Sequence, residues 1–297
     1  MISATLYNDA ACPWAYSESP ALRVIEWRYR DQLEWRLVLI GLTEEASQYE
    51  ARGYTRLRGA LGQAFFRNRY GMPFSPAPKA RLSGTARACR LVVAARLDHP
   101  GSEWRVFRAL QLANFTTPLL LDDDAQLAQA LGAVDGVDGQ ALVKRIDDPD
   151  VVEAYQRDRE NARAAEGSAA ELQGKTATSD GPVRFTAPSV LFERADGPDG
   201  RVGQRLVAGG FQPVEAYDVL IANLDPGLER QPPPDTPAPL LEYFPDGLTT
   251  QEVAALLAHG NTPPDRAAAE AGLLQLVGEG AAVRQPLGDD ALWQPAR

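Results

Sequence analysis

Ahead of residue 226, strand-like pattern occurs at two places far apart, and that spacing restricts the fold more than any single residue does. Residues 3–9, SATLYND, alternate and carry a β-branched Thr, so they read as a strand. Cys12-Pro13 then opens a helix expected to reach about residue 31. Pro is tolerated in a first helical turn because its missing N–H would be unpaired there anyway, and Pro20 is expected to kink the helix. LEWRLVLIGL, 33–42, reads as a strand with a near-continuous apolar end, buried on both faces. From about 45 to 165 the pattern is helical, with no convincing strand. It includes a helix over 83–98 with Ser83 as a possible cap. Strands return at 189–195 and 204–210, separated by the turn-rich DGPDG of 196–200, and read as a hairpin. A helix over 212–224 closes the unit. The order is β-α-β, a helical block, then β-β-α, which makes an α/β domain over 1–225 with a helical insertion at about 44–180.

A Pro-rich, semi-rigid linker follows over 226–240. Residues 241–297 carry two helices, TTQEVAALLA at 249–258 and 263–280, and two short strands about an LGDD turn within 281–296. Helix, turn, helix and a two-stranded wing resemble a winged helix. Such modules often bind DNA, but residues 246–297 hold seven acids against three bases, Arg266, Arg284 and Arg297. Phosphate contact needs clustered Lys or Arg, so a packing or protein-interaction role is expected. The whole chain carries a net charge of -10, which also argues against nucleic acid and anionic membrane as partners. No apolar run approaches the roughly 18–20 residues of a spanning helix. MISATLYND has neither a basic nor an apolar leader region. A cytoplasmic location is the expectation.

Chemistry concentrates at Cys12, in NDAACPWAYSES. A thiolate is the nucleophile in thiol chemistry, and a helix N-terminus lowers thiol pKa through its free N–H groups. Trp14 offers a flat apolar surface to a bound chain or thiol. Read from burial alone, Cys12 could equally be a small core residue. CPWA at 12–15, TAPSVLF at 186–192 and VAGGFQPVEAYDVLIANL at 207–224, in this order, resemble the DsbA-like branch of the thioredoxin superfamily. That resemblance implies a thioredoxin fold with a helical insertion, thiol–disulfide oxidoreductase or disulfide isomerase activity, and a cis Ala187-Pro188 bond beside the Cys12 sulfur. It names Cys12 as the catalytic residue, with Pro13, Trp14, Ala15, Ala187 and Pro188 around the bound substrate.

Ala15 departs from the family pattern, which has a second cysteine there. A lone Cys12 can attack a disulfide but cannot release itself intramolecularly. Three readings remain open. An external low-molecular-weight thiol, glutathione or mycothiol, resolves the mixed disulfide. The site uses a thiol cofactor for transferase or isomerase chemistry. Or it only binds. Cys89 lies with Leu82, Ala86, Val93 and Leu97 on one helical face and reads as a core residue. His99 and His259 look like helix ends. The two histidines and two cysteines lack zinc-ligand spacing, and no cofactor is expected to be tightly bound. Asp122, Asp123 and Asp124 suit helix capping. Arg67 and Arg69 in FFRNRYGMPF, followed by PAPKAR, could bind an anionic thiol. Phe211 and Gln212 lie where the family groove ends.

Overall fold

The computed structural model describes residues 1–194 and 203–296. The first strand, β1 (Ile2–Asn8), pairs in parallel with β2 (Leu33–Leu39), placing Ile2 opposite Leu33 and Asn8 opposite Leu39. Two helices lie between them. α1 (Pro13–Ser17) and α2 (Ser19–Tyr29) meet at Glu18, so the helix expected to run through Pro20 with a kink is broken two residues earlier. Pro20 lacks an N–H to donate back, and its place is the first turn of α2, where none is needed. α2 ends at Arg30, whose φ of 46° lies outside the helical region.

The insertion holds α3 (Ala46–Ala51), α4 (Arg56–Tyr70), α5 (Ala86–Asp98), α6 (Glu103–Thr116), α7 (Asp124–Ala130), α8 (Gly139–Arg145), α9 (Pro149–Ala162) and α10 (Ala169–Leu172). Local chemistry sets many of their ends. Thr55 accepts from the Arg58 N–H to cap α4, and Gly71 closes that helix with a left-handed φ of 76°. Asp123 caps α7, as its place before a helix predicts. Ser83 is not a cap. α5 starts at Ala86, and Thr85 ahead of it spends its hydroxyl on Asp9. A short ribbon, β3 (Thr176–Ala177) with β4 (Arg184–Phe185), follows α10 and was not foreseen.

β5 (Ser189–Arg194) and β6 (Arg205–Gly209) complete an antiparallel edge, giving the sheet order β2-β1-β5-β6. The DGPDG turn lies outside the described residues. α11 (Val214–Leu224) then packs its buried Tyr217, Ile221 and Leu224 into the same core as α2, α5, α6 and α9.

Residues after α11 run along α2: the Gln231 N–H donates to the Arg28 carbonyl, and the Trp27 indole donates to the Pro232 carbonyl. Then come α12 (Ala238–Tyr243), which sequence pattern missed, β7 (Leu248–Thr249), α13 (Thr250–Leu257), α14 (Arg266–Gly278), β8 (Ala282–Leu287) and β9 (Asp290–Pro295). β7 adds a third strand to the expected pair, in the order β7-β9-β8. Val24 and Trp27 of α2 share one apolar cluster with Leu241, Val253, Leu273 and Trp293 of this segment. A buried ion pair also spans the contact: Arg108 of α6 donates to both oxygens of Glu252 at 2.8–2.9 Å.

Candidate active site

Cys12 is the last residue before α1. Its backbone is extended, with φ -81° and ψ 114°, and Pro13 starts the helix. The Cys12 N–H donates to the Asp9 carbonyl, which folds the NDAAC turn back on the end of β1. Across from it, Ala187-Pro188 is a cis peptide at the entry to β5. The Cys12 Sγ donates to the Ala187 carbonyl oxygen at 3.0 Å. Sequence elements 175 residues apart therefore meet at the sulfur.

The thiol sits in an apolar cluster with Tyr7, Ala15, Ile40, Phe185, Ala187 and Val207. Burial pushes its pKa up to about 12. The N–H groups of Ala15 and Trp14 and the charge of Arg184 pull the other way, while Asp9 adds to the rise. This corrects the expectation of a thiolate lowered by the helix N-terminus. The first-turn N–H groups are present, but desolvation of the thiol of a residue only 6% exposed outweighs them. At rest the group is a thiol.

Asp9 is the residue that motif reading missed. It is fully buried at the end of β1. Its Oδ1 accepts from the Ala11 N–H at 2.9 Å. Its Oδ2 accepts from the Leu42 N–H at 2.8 Å and from the Thr85 hydroxyl at 2.9 Å. Cys89 Sγ lies 3.7 Å from the same oxygen. Asp9 thus ties the turn that carries Cys12 to the end of β2 and the start of α5. Burial raises its pKa despite these donors. The available signal was an acid three residues before Cys12, in an otherwise apolar stretch. Cys89 is a core residue, as its helical position predicted, although Leu97 of the proposed face is exposed and α5 is buried nearly all round. Burial first, and Asp9 second, hold the Cys89 thiol well above its usual range. Both cysteines are free.

Cys12, Pro13 and Trp14 line a cavity of about 770 Å³ between α1, α4 and the 79–83 segment. Trp14 stands at its rim, 42% exposed, with its ring edge-on to Phe66, Tyr70 and Phe211. Ala15 does not face this cavity, and among its described lining residues neither Ala187 nor Pro188 appears. Those two are buried behind the sulfur. The walls are basic. Arg52, Arg56, Arg58, Lys79, Arg81 and Arg184 all line the cavity, and among its described lining residues there is no acidic side chain. Lys79 donates to the Leu119 carbonyl, and burial lowers its pKa to about 8. Arg67 and Arg69, the cations singled out from sequence, do not line it; Arg67 approaches Asp289 instead. The cations come from Arg52 after α3, from the first turn of α4, from PAPKAR and from β4.

Beside the rim, the Phe211 ring lies tilted against Tyr70 with centroids 4.8 Å apart, and Gln212 places its N–H on Glu18. Glu18 also accepts from the Tyr217 hydroxyl at 2.8 Å. Burial raises its pKa to about 8, and its second oxygen has no partner.

A family model for the DSBA-like thioredoxin domain matches residues 5–166, from β1 past α9, and so includes Cys12 and the whole cationic wall except Arg184. The chain belongs to the DSBA-like thioredoxin family. The family is one of thiol–disulfide oxidoreductases, and CPWA at 12–15 of this chain holds a single cysteine. Solved structures agree on the fold. A putative protein disulfide isomerase from Nitrosomonas europaea matches with a TM-score of 0.54 at 16% identity, over 75% of this chain and 96% of that one. A probable DsbA oxidoreductase from Streptomyces coelicolor gives 0.54 at 18%, over 76% and 91%. The cytosolic disulfide reductase DsbM from Pseudomonas aeruginosa, solved with GSH, gives 0.50 at 16%, over 75% and 98%. A comparison with curated proteins found no match.

His99 follows the last turn of α5, and His259 lies just past α13. Among the described residues no cluster of His, Cys, Asp and Glu suits a metal ion, and no helix is long and apolar enough to cross a membrane.

Proposed function

We propose that the protein reduces disulfides of an anionic low-molecular-weight thiol through Cys12 alone, with a second molecule of that thiol as the resolving partner. The observation that carries this reading is that every charged side chain lining the cavity over Cys12, among the described residues, is basic, in a chain whose net charge is -10. A cavity lined by one sign of charge concentrates ligands of the other. Of the two thiols expected from the sequence, glutathione carries carboxylates and mycothiol carries none, so the wall favours glutathione.

In the proposed cycle the Cys12 thiol gives its proton to solvent, and its sulfur attacks the glutathione sulfur of a mixed disulfide R–S–S–G. The S–S bond breaks and R–S⁻ leaves. A glutathione thiolate then attacks the glutathione sulfur held on Cys12. Oxidised glutathione departs, and the Cys12 thiolate is reprotonated. Trp14 flanks the entering chain, and the Ala187 carbonyl, buried behind the sulfur, accepts from the Cys12 thiol before the attack. A cytoplasmic location suits this chemistry because reduced thiols are abundant there.

The test is glutathione-dependent reduction of the mixed disulfide between glutathione and 2-mercaptoethanol. Turnover that is saturable and lost in Cys12→Ser supports the proposal. The high thiol pKa favours a second reading, in which the same cavity holds a thiol cofactor for transfer or isomerisation and Cys12 stays inert. Conjugation of glutathione to 1-chloro-2,4-dinitrobenzene that survives Cys12→Ser would select it. If neither activity is found while glutathione still binds, the protein is a thiol-binding module.

A further inference from the structure

Leu57, Leu61 and Phe65 of α4 are 69%, 62% and 53% exposed. They recur every four residues, so they form one apolar ridge about 12 Å long on the helix surface. Single exposed apolar residues need no explanation, but an ordered row does. The ridge does not hold α4 to the protein. That is done by the other side of the helix, where Phe66 and Tyr70 pack on Trp14. The relief around the ridge and the charge beside it define what fits.

The ridge stands between two hollows. One is the Cys12 cavity, which Arg58, Leu61 and Gly62 line. The other is a groove of about 230 Å³ between Ala60 and Ala64 of α4 and the 74–78 segment. A flat lipid surface would touch only the crest of such relief. A second helix follows it, because a row at i, i+4 and i+8 is the ridge that enters the groove of a packed neighbour. The charge is one-sided. Residues 51–97 contain ten cations and no acid, in a chain whose net charge is -10. Arg81 and the three arginines of α5 are paired with aspartates, and Arg67 approaches Asp289. Arg56, Arg58 and Arg69 of α4 are exposed and have no carboxylate partner among the described residues. A second copy docked α4 on α4 would set these like charges against each other, so the complementary partner is acidic.

We propose that the exposed face of α4 docks an acidic amphipathic helix of a partner protein, its apolar side chains straddling the Leu57–Leu61–Phe65 ridge and its carboxylates on Arg56, Arg58 and Arg69. The docked helix lies along the mouth of the Cys12 cavity, because Arg58 and Leu61 belong to both surfaces.

The test uses the full chain and a fluorescein-labelled peptide of about 20 residues, long enough to hold helix in water, with leucines on one face and glutamates beside them. The probe holds no cysteine, so docking is read apart from any thiol chemistry. One control peptide has the same composition in scrambled order, and another has lysines in place of the glutamates. Fluorescence anisotropy is measured with the unaltered protein, with the double variant Leu57→Ser and Phe65→Ser, and with Arg69→Gln. Saturable binding is expected with Kd below about 100 μM. It should be at least about tenfold weaker in the double variant, about threefold weaker in Arg69→Gln at low salt only, and absent with either control peptide. No saturable binding, an unchanged Kd in the double variant, or equal binding of the lysine peptide would overturn the proposal. So would a dimer of the unaltered protein that the double variant dissolves, which would make a second copy the occupant. Sedimentation with phosphatidylserine–phosphatidylcholine vesicles, lost in the double variant and without peptide binding, would make it a lipid surface. If the double variant does not fold, Arg69→Gln and the lysine peptide decide.

Discussion

The Cys12 thiol donates a 3.0 Å hydrogen bond to the backbone carbonyl of Ala187, the residue that precedes the cis proline. An acceptor facing the sulfur stabilises S–H and not S⁻. Together with burial, this keeps the Cys12 sulfur protonated, with a pKa of about 12. The iodoacetamide alkylation rate at Cys12 should therefore climb about tenfold per pH unit from about 7 to 11, with no plateau near the usual thiol pKa of about 8.5. A plateau below about pH 8 would show a poised thiolate and contradict the geometry. The same raised pKa means that the buried thiol's contribution to stability is complete below the free value of 9.0 and is lost as pH rises toward 12.

Glu18 offers a second titration. Its carboxyl is raised from 4.5 to about 8 by burial. In the window between those values the folded chain holds a proton that the unfolded chain has released. Stability from this group is thus full below about pH 4.5 and falls as pH rises through 8. Glu18→Gln keeps an oxygen for the Tyr217 hydroxyl and the Gln212 N–H but cannot ionise. Urea unfolding at pH 5, 7 and 9 should show the variant gaining on the parent as pH rises, by about 2–4 kcal/mol at the highest pH. Parallel pH profiles would show that Glu18 is charged in the fold.

Much of this site was legible in sequence, for reasons tied to particular residues. Cys12-Pro13 marks a helix start because Pro is suited to that position, SVLFERA marks β5 by its strand pattern, and the place of Ala187-Pro188 beside the sulfur was legible through the family resemblance of TAPS. Asp9, Thr85 and four of the cations, Arg52, Arg56, Arg58 and Arg184, were not legible, whereas Lys79 and Arg81 lie in the PAPKAR stretch that was. Their roles depend on which loops converge over α1, and residue spacing carries no record of that. Arg67 and Arg69 looked suitable because they flank aromatics, but the end of α4 turns them away from the cavity, and Arg52 before α4 with Arg56 and Arg58 of its first turn line it instead. The thiol pKa was misjudged because a helix N-terminus is visible in sequence and burial of one sulfur is not. The break at Glu18 and the helix α12 were missed for the same reason: the packing of α2 against the C-terminal segment is a tertiary fact.

The Arg108–Glu252 pair tests that packing. Glu252 is fully buried, accepts from Arg108, Ser19 and the Thr249 N–H, and has its pKa lowered to about 2. Its stabilising effect is full above the free value of 4.5 and is lost as pH falls toward 2. Glu252→Gln leaves the Arg108 charge buried without its counter-ion and should cost about 3–5 kcal/mol in chemical denaturation. Arg108→Met with Glu252→Met should recover most of that loss. Equal losses in the single and double variants would place the cost in the capping box of α13 instead.

Arg56 and Arg58 are exposed on the cavity wall and are suited to steering and not to folding. Replacing both with Gln should slow mixed-disulfide formation with oxidised glutathione about tenfold at low salt and much less at high salt. The rate with uncharged 2-hydroxyethyl disulfide should be unchanged. Equal slowing with both disulfides would mean that the arginines shape the site and do not attract charge.

Restoring the missing thiol probes whether the machinery is otherwise intact. Ala15→Cys should allow an internal disulfide with Cys12, because both positions lie in the first turn of one helix, with Cys12 at its cap. Release of a mixed disulfide should then no longer need an added thiol, as followed by insulin reduction or by mass. A mixed disulfide that persists in this variant would show that position 15 faces away from the sulfur.

The most direct measurement is peptide-resolved mass spectrometry of the protein after exposure to oxidised glutathione and, separately, to 2-hydroxyethyl disulfide. The account predicts a glutathione adduct on Cys12 and none on Cys89, forming at least about tenfold faster than the uncharged adduct at low salt. No adduct on Cys12, or equal rates for the two disulfides, would contradict it.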